Sequence, residues 1–261
     1  MKLSAIVITK NEAKSVGKCL EALSFADERI VIDAESDDAT VTIAKASGAT
    51  VYTNPWPGYG AQKNYGMQKG SGDWVLFIDA DEQVTSELAQ EIQQAIHSPA
   101  YDFYWLKIVT VFLGKPLTHL YGHNPRLFKK GSGRWQAALV HEQVEHIDEE
   151  ITIKLGDQHS GKLISHLLHN SHESISSYLE SMHQYTPLDA REMVSRGKHR
   201  SGRPVFPHLF LPLSLTLRQG IKLLVYRRGF LDGIPGLIWC ILSAYYEWEM
   251  AHKYLAISSK K

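Results

Sequence analysis

The chain has few cysteines, no excess of either charge and no long hydrophobic run. Its two cysteines, Cys19 and Cys240, lie far apart in 261 residues and form no C-x-x-C or zinc-finger spacing. We therefore predict no disulfide framework and a reducing compartment. Lysine plus arginine equals aspartate plus glutamate, at 28 each, which argues against a dedicated nucleic-acid-binding protein. One sizeable core, with a small appended subdomain, is the expected organisation for this length.

Several common catalytic motifs are also missing. The sequence has no G-x-S-x-G, G-x-x-x-x-G-K-[ST], H-E-x-x-H or G-x-G-x-x-G, so serine hydrolases, P-loop enzymes, zincins and nucleotide-dependent dehydrogenases lack their usual signatures. The apolar run at residues 3–9 is too short for a signal peptide, and the charged Lys10 and Glu12 follow it. We predict that this run is a first buried strand and that the protein stays in the cytoplasm.

Short apolar runs alternate with helical patterns over the first hundred residues. The predicted strands and helices, in chain order, are strand 5–8, a helix bearing Val16, Leu20 and Leu23, strand 29–33, helix 39–46, strand 50–52, helix 61–69, strand 74–78 and helix 86–96. This alternation predicts an α/β fold with a doubly wound, mostly parallel sheet. Ligands of such sheets bind beyond the carboxyl ends of the strands.

The pattern changes after residue 100. Residues 101–113 and 126–128 are predicted to be strands of a mixed or antiparallel extension, and a helix from Ser174 is expected to break or kink at Pro187. We predict one domain over residues 1–170, in which 1–100 and 101–170 form two parts. A helical region would follow over residues 171–261.

The last 60 residues combine apolar stretches with aromatic and basic side chains. The uncharged stretch 234–246 has thirteen residues, fewer than the roughly 20 that a membrane-spanning helix needs. Neighbouring tryptophans, tyrosines, arginines and lysines are typical of helices that lie in a membrane interface and face anionic lipid. The alternative is that these helices simply pack on the catalytic core.

Asp79 and Asp81 follow the apolar strand 74–78 and are two positions apart. In extended geometry they point to the same side, and paired carboxylates at a strand end suit Mg²⁺ or Mn²⁺ with phosphate oxygens completing the coordination shell. The alternative is that Asp81 or Glu82 only serves the turn before the next helix. Thr85 and Ser86 already offer capping oxygens for that helix.

Three further residues lie at the ends of the first two strands. Asp33 ends the second strand, where a carboxylate can accept hydrogen bonds from a base or a ribose. Thr9 and Glu12 have the spacing of a capping box, which does not exclude a contact with a nucleotide.

Two later segments carry candidate charged groups. Gln62, Lys63 and Asn64 open a helix after a glycine-rich loop, where they either face a diphosphate or form a solvated helix start. Glu142 lies in an alternating segment, 140–144, with His141 expected to point the other way. It is a candidate general base, and the alternative is a salt bridge to Arg134 or Lys129.

Four histidines follow in a loose cluster, namely His159, His166, His169 and His172. Most are expected to be surface or capping residues. One of them can complete a metal shell, and we choose His169.

Taken together, these segments resemble glycosyltransferase family 2, which has the GT-A fold, and in particular its bacterial branch of lipopolysaccharide core β-glucosyltransferases. The similar segments are 8–12, 31–33, 58–64, 74–82, 140–142 and 228–233. They span about 230 residues in a consistent order. Residues 34–38 depart from the branch's usual serine-containing run, so the contacts of that loop stay open.

The resemblance implies that residues 1–170 are a catalytic domain, with nucleotide-sugar binding in 1–100 and the acceptor side in 101–170. It also implies a role for each candidate residue. Thr9, Glu12 and Asp33 would hold the nucleoside, Lys63 would lie near the donor, and Asp79 and Asp81 would bind the ribose and the metal diphosphate. Glu142 would be the catalytic base. The resemblance also implies Mg²⁺ or Mn²⁺ as cofactor, UDP-glucose as donor, a lipid-linked inner-core heptose as acceptor, and peripheral attachment to the inner face of the cytoplasmic membrane.

Three other functions stay open from the sequence alone. A polyprenyl-phosphate sugar synthase would use an anionic acceptor that needs no base. A non-catalytic nucleotide-binding membrane adaptor would bind without metal dependence. A phosphate receiver domain would use the adjacent Asp37 and Asp38, although the long chain beyond residue 100 counts against it.

Overall fold

The computed structural model describes residues 1–137 and 142–259. These fall into two compact units. The first contains residues 1–109, 122–137 and 142–169, and the second contains residues 110–121 and 170–259.

Strands and helices alternate over the first hundred residues, as predicted. They are β1 (Leu3–Thr9), α1 (Val16–Ala22), β2 (Glu28–Asp33), α2 (Thr40–Ala46), β3 (Thr50–Thr53), α3 (Tyr59–Lys69), β4 (Trp74–Asp79), β5 (Glu82–Val84) and α4 (Ser86–His97). The short strand β5 was not predicted. The side-chain oxygen of Thr85 accepts from the Leu88 N–H, which confirms the expected N-cap of α4.

Longer strands and helices make up the rest of the chain. They are β6 (Phe103–Phe112), β7 (Lys115–Lys129), β8 (Gly133–Trp135), β9 (Val144–His146), β10 (Ser160–His172), α5 (Ile175–Arg196), α6 (Leu211–Ile221), a π-helical turn (Lys222–Tyr226), a 3₁₀ turn (Gly229–Asp232) and α7 (Gly233–Ser258). Helix α5 continues through Pro187 to Arg196, so the predicted break is wrong. Buried side chains on both sides of the proline, including Met182 and Ala190, hold the helix in place.

Eight strands form one mixed sheet in the order β3-β2-β1-β4-β7-β6-β10-β5, and β8 pairs with β9 separately. The first four strands in this order are parallel, which confirms the predicted parallel part. Strand β4 then pairs antiparallel with β7, and β10 pairs antiparallel with β5. The fold is therefore α/β with a mixed, mostly parallel sheet, in line with the prediction.

The register of β1 brings the candidate residues to one edge of this sheet. Thr9 lies opposite Asp33 of β2, and Ile8 lies opposite Asp79 of β4. Adjacent strands are about 4.8 Å apart, so Asp33 and Asp79 are separated by about 10 Å across the carboxyl ends of the strands.

Apolar burial fixes the parallel strands on both faces. Every residue of β1 is buried, as expected for a strand covered by helices on both sides. Helix α3 packs very close to the sheet, since a Cβ added to Gly66 would lie 2.5 Å from the side chain of Ile6 and 2.9 Å from that of Ile32.

The second unit contains α5, α6, α7 and the two short helical turns. Its core includes Tyr178, Met182, Cys240 and Leu242, which are buried together. Among the described residues, no helix has both the length and the apolar character needed to cross a bilayer.

Candidate active site

Thr9 and Asp33 lie side by side at the carboxyl ends of β1 and β2, and both are buried. The Asp33 carboxylate accepts hydrogen bonds from the Ser36 N–H at 2.9 Å and the Ser36 hydroxyl at 2.6 Å. Thr9 Oγ1 is buried without a hydrogen-bond partner among the described residues. A buried hydroxyl of this kind is unusual in a folded protein and is available to a ligand.

The predicted capping box of Thr9 and Glu12 is wrong. Helix α1 begins only at Val16, with Ser15 at its N-cap, because Thr9 still belongs to β1. Glu12 instead accepts a hydrogen bond from the Ser15 hydroxyl. Burial raises the pKa of Glu12, and the nearby charge of Asp81 raises it further.

The site also contains a connected group of charges, which we call the Arg126 cluster. Its members are Asp79, Glu82, Arg126, Lys63 and Glu142. Arg126 Nη2 lies 2.6 Å from Asp79 Oδ2 and 2.8 Å from Glu82 Oε1. Glu82 Oε2 also accepts a hydrogen bond from the Asp79 N–H at 2.8 Å. Glu82 therefore does serve the turn after β4, and it also pairs with a buried cation.

The carboxyl groups of the cluster differ in pKa. Burial alone would raise the pKa of Asp79, but the charges of Arg126 and Lys63 outweigh it and hold that pKa well below its usual range. Burial raises the pKa of Glu82 to about 7, against the opposing charge of Arg126. The cluster thus holds one carboxylate firmly ionised beside one that titrates near neutral pH.

Asp81 does not share the partner of Asp79. The two residues lie on either side of a turn between β4 and β5, so the extended geometry assumed for them is absent. Asp81 Oδ2 lies 3.0 Å from His169 Nε2 of β10, and about a third of each side chain is exposed. Burial would lower the pKa of His169, but its contact with Asp81 dominates and raises it to about 9.

Lys63 and Glu142 are ion-paired at the same edge of the sheet. Lys63 Nζ also lies 4.0 Å from Asp79 Oδ1 and 4.4 Å from the ring centre of Trp135. The side chain of Glu142 is 12% exposed. The expected alternative, a salt bridge from Glu142 to Arg134 or Lys129, is not found among the described residues.

Residues near Glu142 only partly match the predicted strand. Arg134 pairs with Glu145 instead. Strand β9 begins at Val144, two positions after Glu142. The predicted orientation of His141 lies outside the described residues.

The segment from Gly60 to Asn64 positions Lys63 beside Glu142 and Asp79. A Cβ on Gly60 would lie 2.2 Å from the carbonyl oxygen of Gln136, so only glycine permits this approach. The Asn64 side chain binds both the N–H and the C=O of Trp135, at 2.9 and 2.8 Å. Gln62 and Lys63 are both buried, which makes the solvated helix start wrong.

Sequence reasoning missed Arg126 and the role of Glu82 as its partner. Arg126 is buried beside Leu127 and Phe128 on β7. A lone arginine in an apolar strand was the available signal, because a buried charge needs a partner. Arg126 Nε and Nη1 remain without hydrogen-bond partners among the described residues.

Asp81 and His169 fit a divalent cation better than Asp79 does. A carboxylate and an imidazole are both suitable ligands of Mn²⁺ and related ions, and both are partly exposed. The two carboxylate oxygens of Asp79, by contrast, face Arg126 and Lys63. Asp81 and Asp79 as metal ligands, with His169 completing the shell, stay predictions, and the partial exposure of Asp81 and His169 favours these two.

The family is shown by comparison with known proteins. The model of glycosyl transferase family 2 matches residues 4–147, more than half of the chain, and this stretch contains the whole Arg126 cluster. The chain belongs to glycosyltransferase family 2. It is therefore a glycosyltransferase, and the receiver-domain alternative is excluded.

Two relatives cover nearly the whole chain. An uncharacterized glycosyltransferase of Rickettsia conorii is 29% identical over 94% of this chain and 86% of its own length. The lipopolysaccharide core biosynthesis glycosyltransferase LpsC of Rhizobium meliloti is 27% identical over 94% of this chain and 91% of its own length.

Among solved structures, a similar one is glucosyl-3-phosphoglycerate synthase from Mycobacterium tuberculosis in complex with Mg²⁺ and UDP. It has a TM-score of 0.35 and 25% sequence identity, over 46% of each chain.

Proposed function

We propose that the protein transfers a hexose, with inversion, from a nucleotide-sugar donor to a lipopolysaccharide or lipooligosaccharide core acceptor. Glucose from UDP-glucose is the donor sugar we favour, and a lipid-linked inner-core heptose is the acceptor. The lipopolysaccharide core biosynthesis glycosyltransferase LpsC is similar over nearly the full length of both chains, and this supports the acceptor class.

The observation that carries the proposal is the ion pair of Glu142 with Lys63, next to the Arg126 cluster at the carboxyl ends of the strands. Lys63 fixes the orientation of the Glu142 carboxylate, which is nearly buried. Thr9 and Asp33 lie one and two strands away from Asp79 and are placed to contact the nucleoside.

The proposed reaction is a single displacement at the anomeric carbon. Glu142 accepts the proton of an acceptor hydroxyl, whose oxygen then bonds to the anomeric carbon as the bond to the diphosphate oxygen breaks. The electrons of that bond move onto the diphosphate. A bound Mg²⁺ or Mn²⁺ would supply neutralisation of this charge, and Lys63 and Arg126 contribute positive potential beside it.

The test is Glu142→Gln, measured with UDP-glucose and a heptose-containing core acceptor. We expect transfer to fall by about 10²–10⁴-fold, the usual contribution of a general base, while donor binding is retained. Glu145→Gln, which removes the pair with Arg134 three residues further on, is the matched control and should keep its activity. Full activity of Glu142→Gln with a polyprenyl phosphate would favour the synthase alternative instead.

The metal is tested separately with Asp81→Asn. This variant should require much more Mn²⁺ or Mg²⁺ for transfer than the wild type. Transfer by both proteins that is unaffected by chelator would contradict the metal assignment. A non-catalytic adaptor would consume no donor in either experiment.

We also propose that the second unit attaches the protein to an anionic membrane surface. Residues 206–226 expose many large apolar side chains close together in sequence. Exposed apolar side chains grouped in this way are typical of an interaction surface. The exposed side chains are Phe206, Leu209, Phe210, Leu213, Leu217, Ile221, Leu224, Val225 and Tyr226. Arg218, Lys222 and Arg228 are exposed within or directly after this stretch, as suits contact with anionic lipid headgroups.

Vesicle flotation tests this attachment. Leu209, with 83% of its surface exposed, is replaced by glutamate, and the matched control is Ile164→Glu in the first unit, where the isoleucine is 82% exposed. We expect Leu209→Glu to weaken binding to phosphatidylglycerol vesicles, with no change for Ile164→Glu. Equal binding to anionic and neutral vesicles by all three proteins would contradict the proposal.

A further inference from the structure

A second group of metal-ligating side chains lies at the opposite end of the sheet from the Arg126 cluster. One ligand atom from each of Asp102, His146 and His159 lies within 4.8 Å of the other two. Asp102 and His159 also line a surface cleft with Trp74, the first residue of β4. Asp79 ends the same strand five residues later, about 17 Å away at 3.3 Å per residue.

Backbone hydrogen bonds fix the three positions relative to one another. Asp102 directly precedes β6, His146 ends β9, and His159 directly precedes β10. The Phe103 N–H donates to the His159 carbonyl at 3.1 Å, and the Lys129 N–H donates to the Asp102 carbonyl at 2.9 Å. Preformed backbone positions reduce the entropy that ligand side chains lose on binding an ion.

The states of Asp102 and His159 suit coordination, and His146 Nδ1 accepts a long hydrogen bond, 3.4 Å, from the Glu149 N–H. The Asp102 carboxylate makes no hydrogen bond or ion pair with any residue of the ranges 1–137 and 142–259. His159 Nε2 lies 3.0 Å from Glu149 Oε1, which leaves Nδ1 of the same ring for an ion. A carboxylate that holds the second nitrogen of an imidazole is the usual support of a metal-bound histidine.

We propose that Asp102, His146 and His159 bind a zinc ion, with Glu149 as a positioning residue that orients His159. Two imidazoles and one carboxylate are a donor set that suits Zn²⁺, with water as the fourth ligand. Tetrahedral bonds of about 2.1 Å place ligand atoms about 3.4 Å apart, so small side-chain rotations close the site. The cleft of about 500 Å³ beside Asp102 and His159 gives the ion a path from solvent.

Such an ion would join three segments that are distant in sequence. It would tie the turn after β9 and the loop before β10 to the start of β6. Because zinc would bind only the folded chain, it would stabilise the fold by an amount that rises with the logarithm of the zinc concentration. The ion would thus stabilise the fold, and its ligands are none of the residues proposed for sugar transfer.

The experiment measures Zn²⁺ binding to the purified full chain by equilibrium dialysis, without donor or acceptor, and repeats it with Co²⁺ as a spectroscopic probe. Asp102→Asn and His159→Gln should each weaken zinc binding by more than about 100-fold, since even loss of a supporting residue costs about 10–100-fold. Glu149→Gln should therefore weaken it by about 10–100-fold. His97→Gln, which alters an exposed histidine of α4, should have no effect.

Asp81→Asn separates this site from the predicted active-site metal. Zinc binding that survives Asp81→Asn and is lost in Asp102→Asn supports the proposal, whatever the outcome for sugar transfer. Zinc binding that is absent from the wild type, unchanged in Asp102→Asn and His159→Gln, or lost only in Asp81→Asn overturns it. Circular dichroism of the partly exposed Asp102 and His159 variants checks that loss of zinc binding is not loss of folding.

Discussion

Each unit of the molecule contains a group of charges around at least one buried carboxylate, and the two groups differ in whether their buried polar atoms have hydrogen-bond partners. The second unit holds Asp189, His199, Arg200, Tyr246 and Glu247, which we call the Arg200 cluster. Glu247 is bound by Arg200 at 2.6 Å and by His199 at 2.9 Å. Tyr246 donates to Asp189 at 2.7 Å, and Arg200 lies 3.8 Å from the same carboxylate. Among the described residues, none of these five has a buried polar atom without a partner.

The Arg126 cluster of the first unit, by contrast, does contain buried polar atoms without hydrogen-bond partners among the described residues. Three carboxylates face two cations in it, and Arg126 keeps two buried nitrogens without partners among the described residues. Buried polar groups are normally paired, and residues with strongly shifted pKa values concentrate at functional sites. From the difference in hydrogen bonding, we infer that the Arg200 cluster stabilises the fold, whereas the Arg126 cluster is arranged for a ligand.

The largest expected effect comes from removing the shared cation of the Arg126 cluster. Arg126→Leu leaves the buried Glu82 without its cation and takes the nearest cation from the partly exposed Asp79, and removing one member of a buried pair costs about 3–5 kcal/mol. We expect a loss of that size in the free energy of unfolding, measured with urea, together with loss of sugar transfer. Arg134→Leu breaks a half-exposed pair with Glu145 and should cost less than about 1 kcal/mol.

Arg200→Leu tests whether the role of the Arg200 cluster is structural only. It should also destabilise the protein, but the remaining folded protein should bind UDP-glucose with unchanged affinity. A similar loss of donor affinity in Arg200→Leu would show that the second cluster is not purely structural.

A smaller effect is expected from Gly60→Ala, which tests how the Arg126 cluster is assembled. The new Cβ would lie 2.2 Å from the Gln136 carbonyl oxygen, so α3 must move away and carry Lys63 with it. Overpacking of this kind costs about 1–3 kcal/mol, measured by urea unfolding, and transfer should fall with it. Gly122→Ala is the control, because its Cβ would meet nothing within 4 Å. Equal stability of the two variants would contradict the close approach.

The parallel part of the sheet could be predicted because its strands are short apolar runs with turn residues between them. Strand ends and residue spacing predicted only part of the site. The T-x-x-E pattern misled because spacing does not reveal that Thr9 still belongs to β1. The pairing of Lys63 with Glu142 spans 79 positions, and local patterns carry no information about contacts at that separation. Arg126 was missed for the same reason, since its partners lie on β4 and β5.

The smallest expected effect is the pH dependence of the stability that Glu247 of the Arg200 cluster contributes. Burial would raise the pKa of Glu247, but the hydrogen bond from His199 and the charge of Arg200 outweigh it, so its pKa lies below the ordinary value. A lowered pKa in the folded state means that the stabilisation is present above the unfolded value of about 4.5 and is lost as pH falls through the folded value. The difference in unfolding free energy between wild type and Glu247→Gln should therefore be largest near pH 7 and shrink below about pH 4.5. Glu180→Gln, at an exposed position of α5, should stay within about 0.5 kcal/mol of wild type throughout. A difference in unfolding free energy between wild type and Glu247→Gln that does not change with pH would contradict this prediction. It would mean that the side chain contributes through packing and hydrogen bonding and not through its charge.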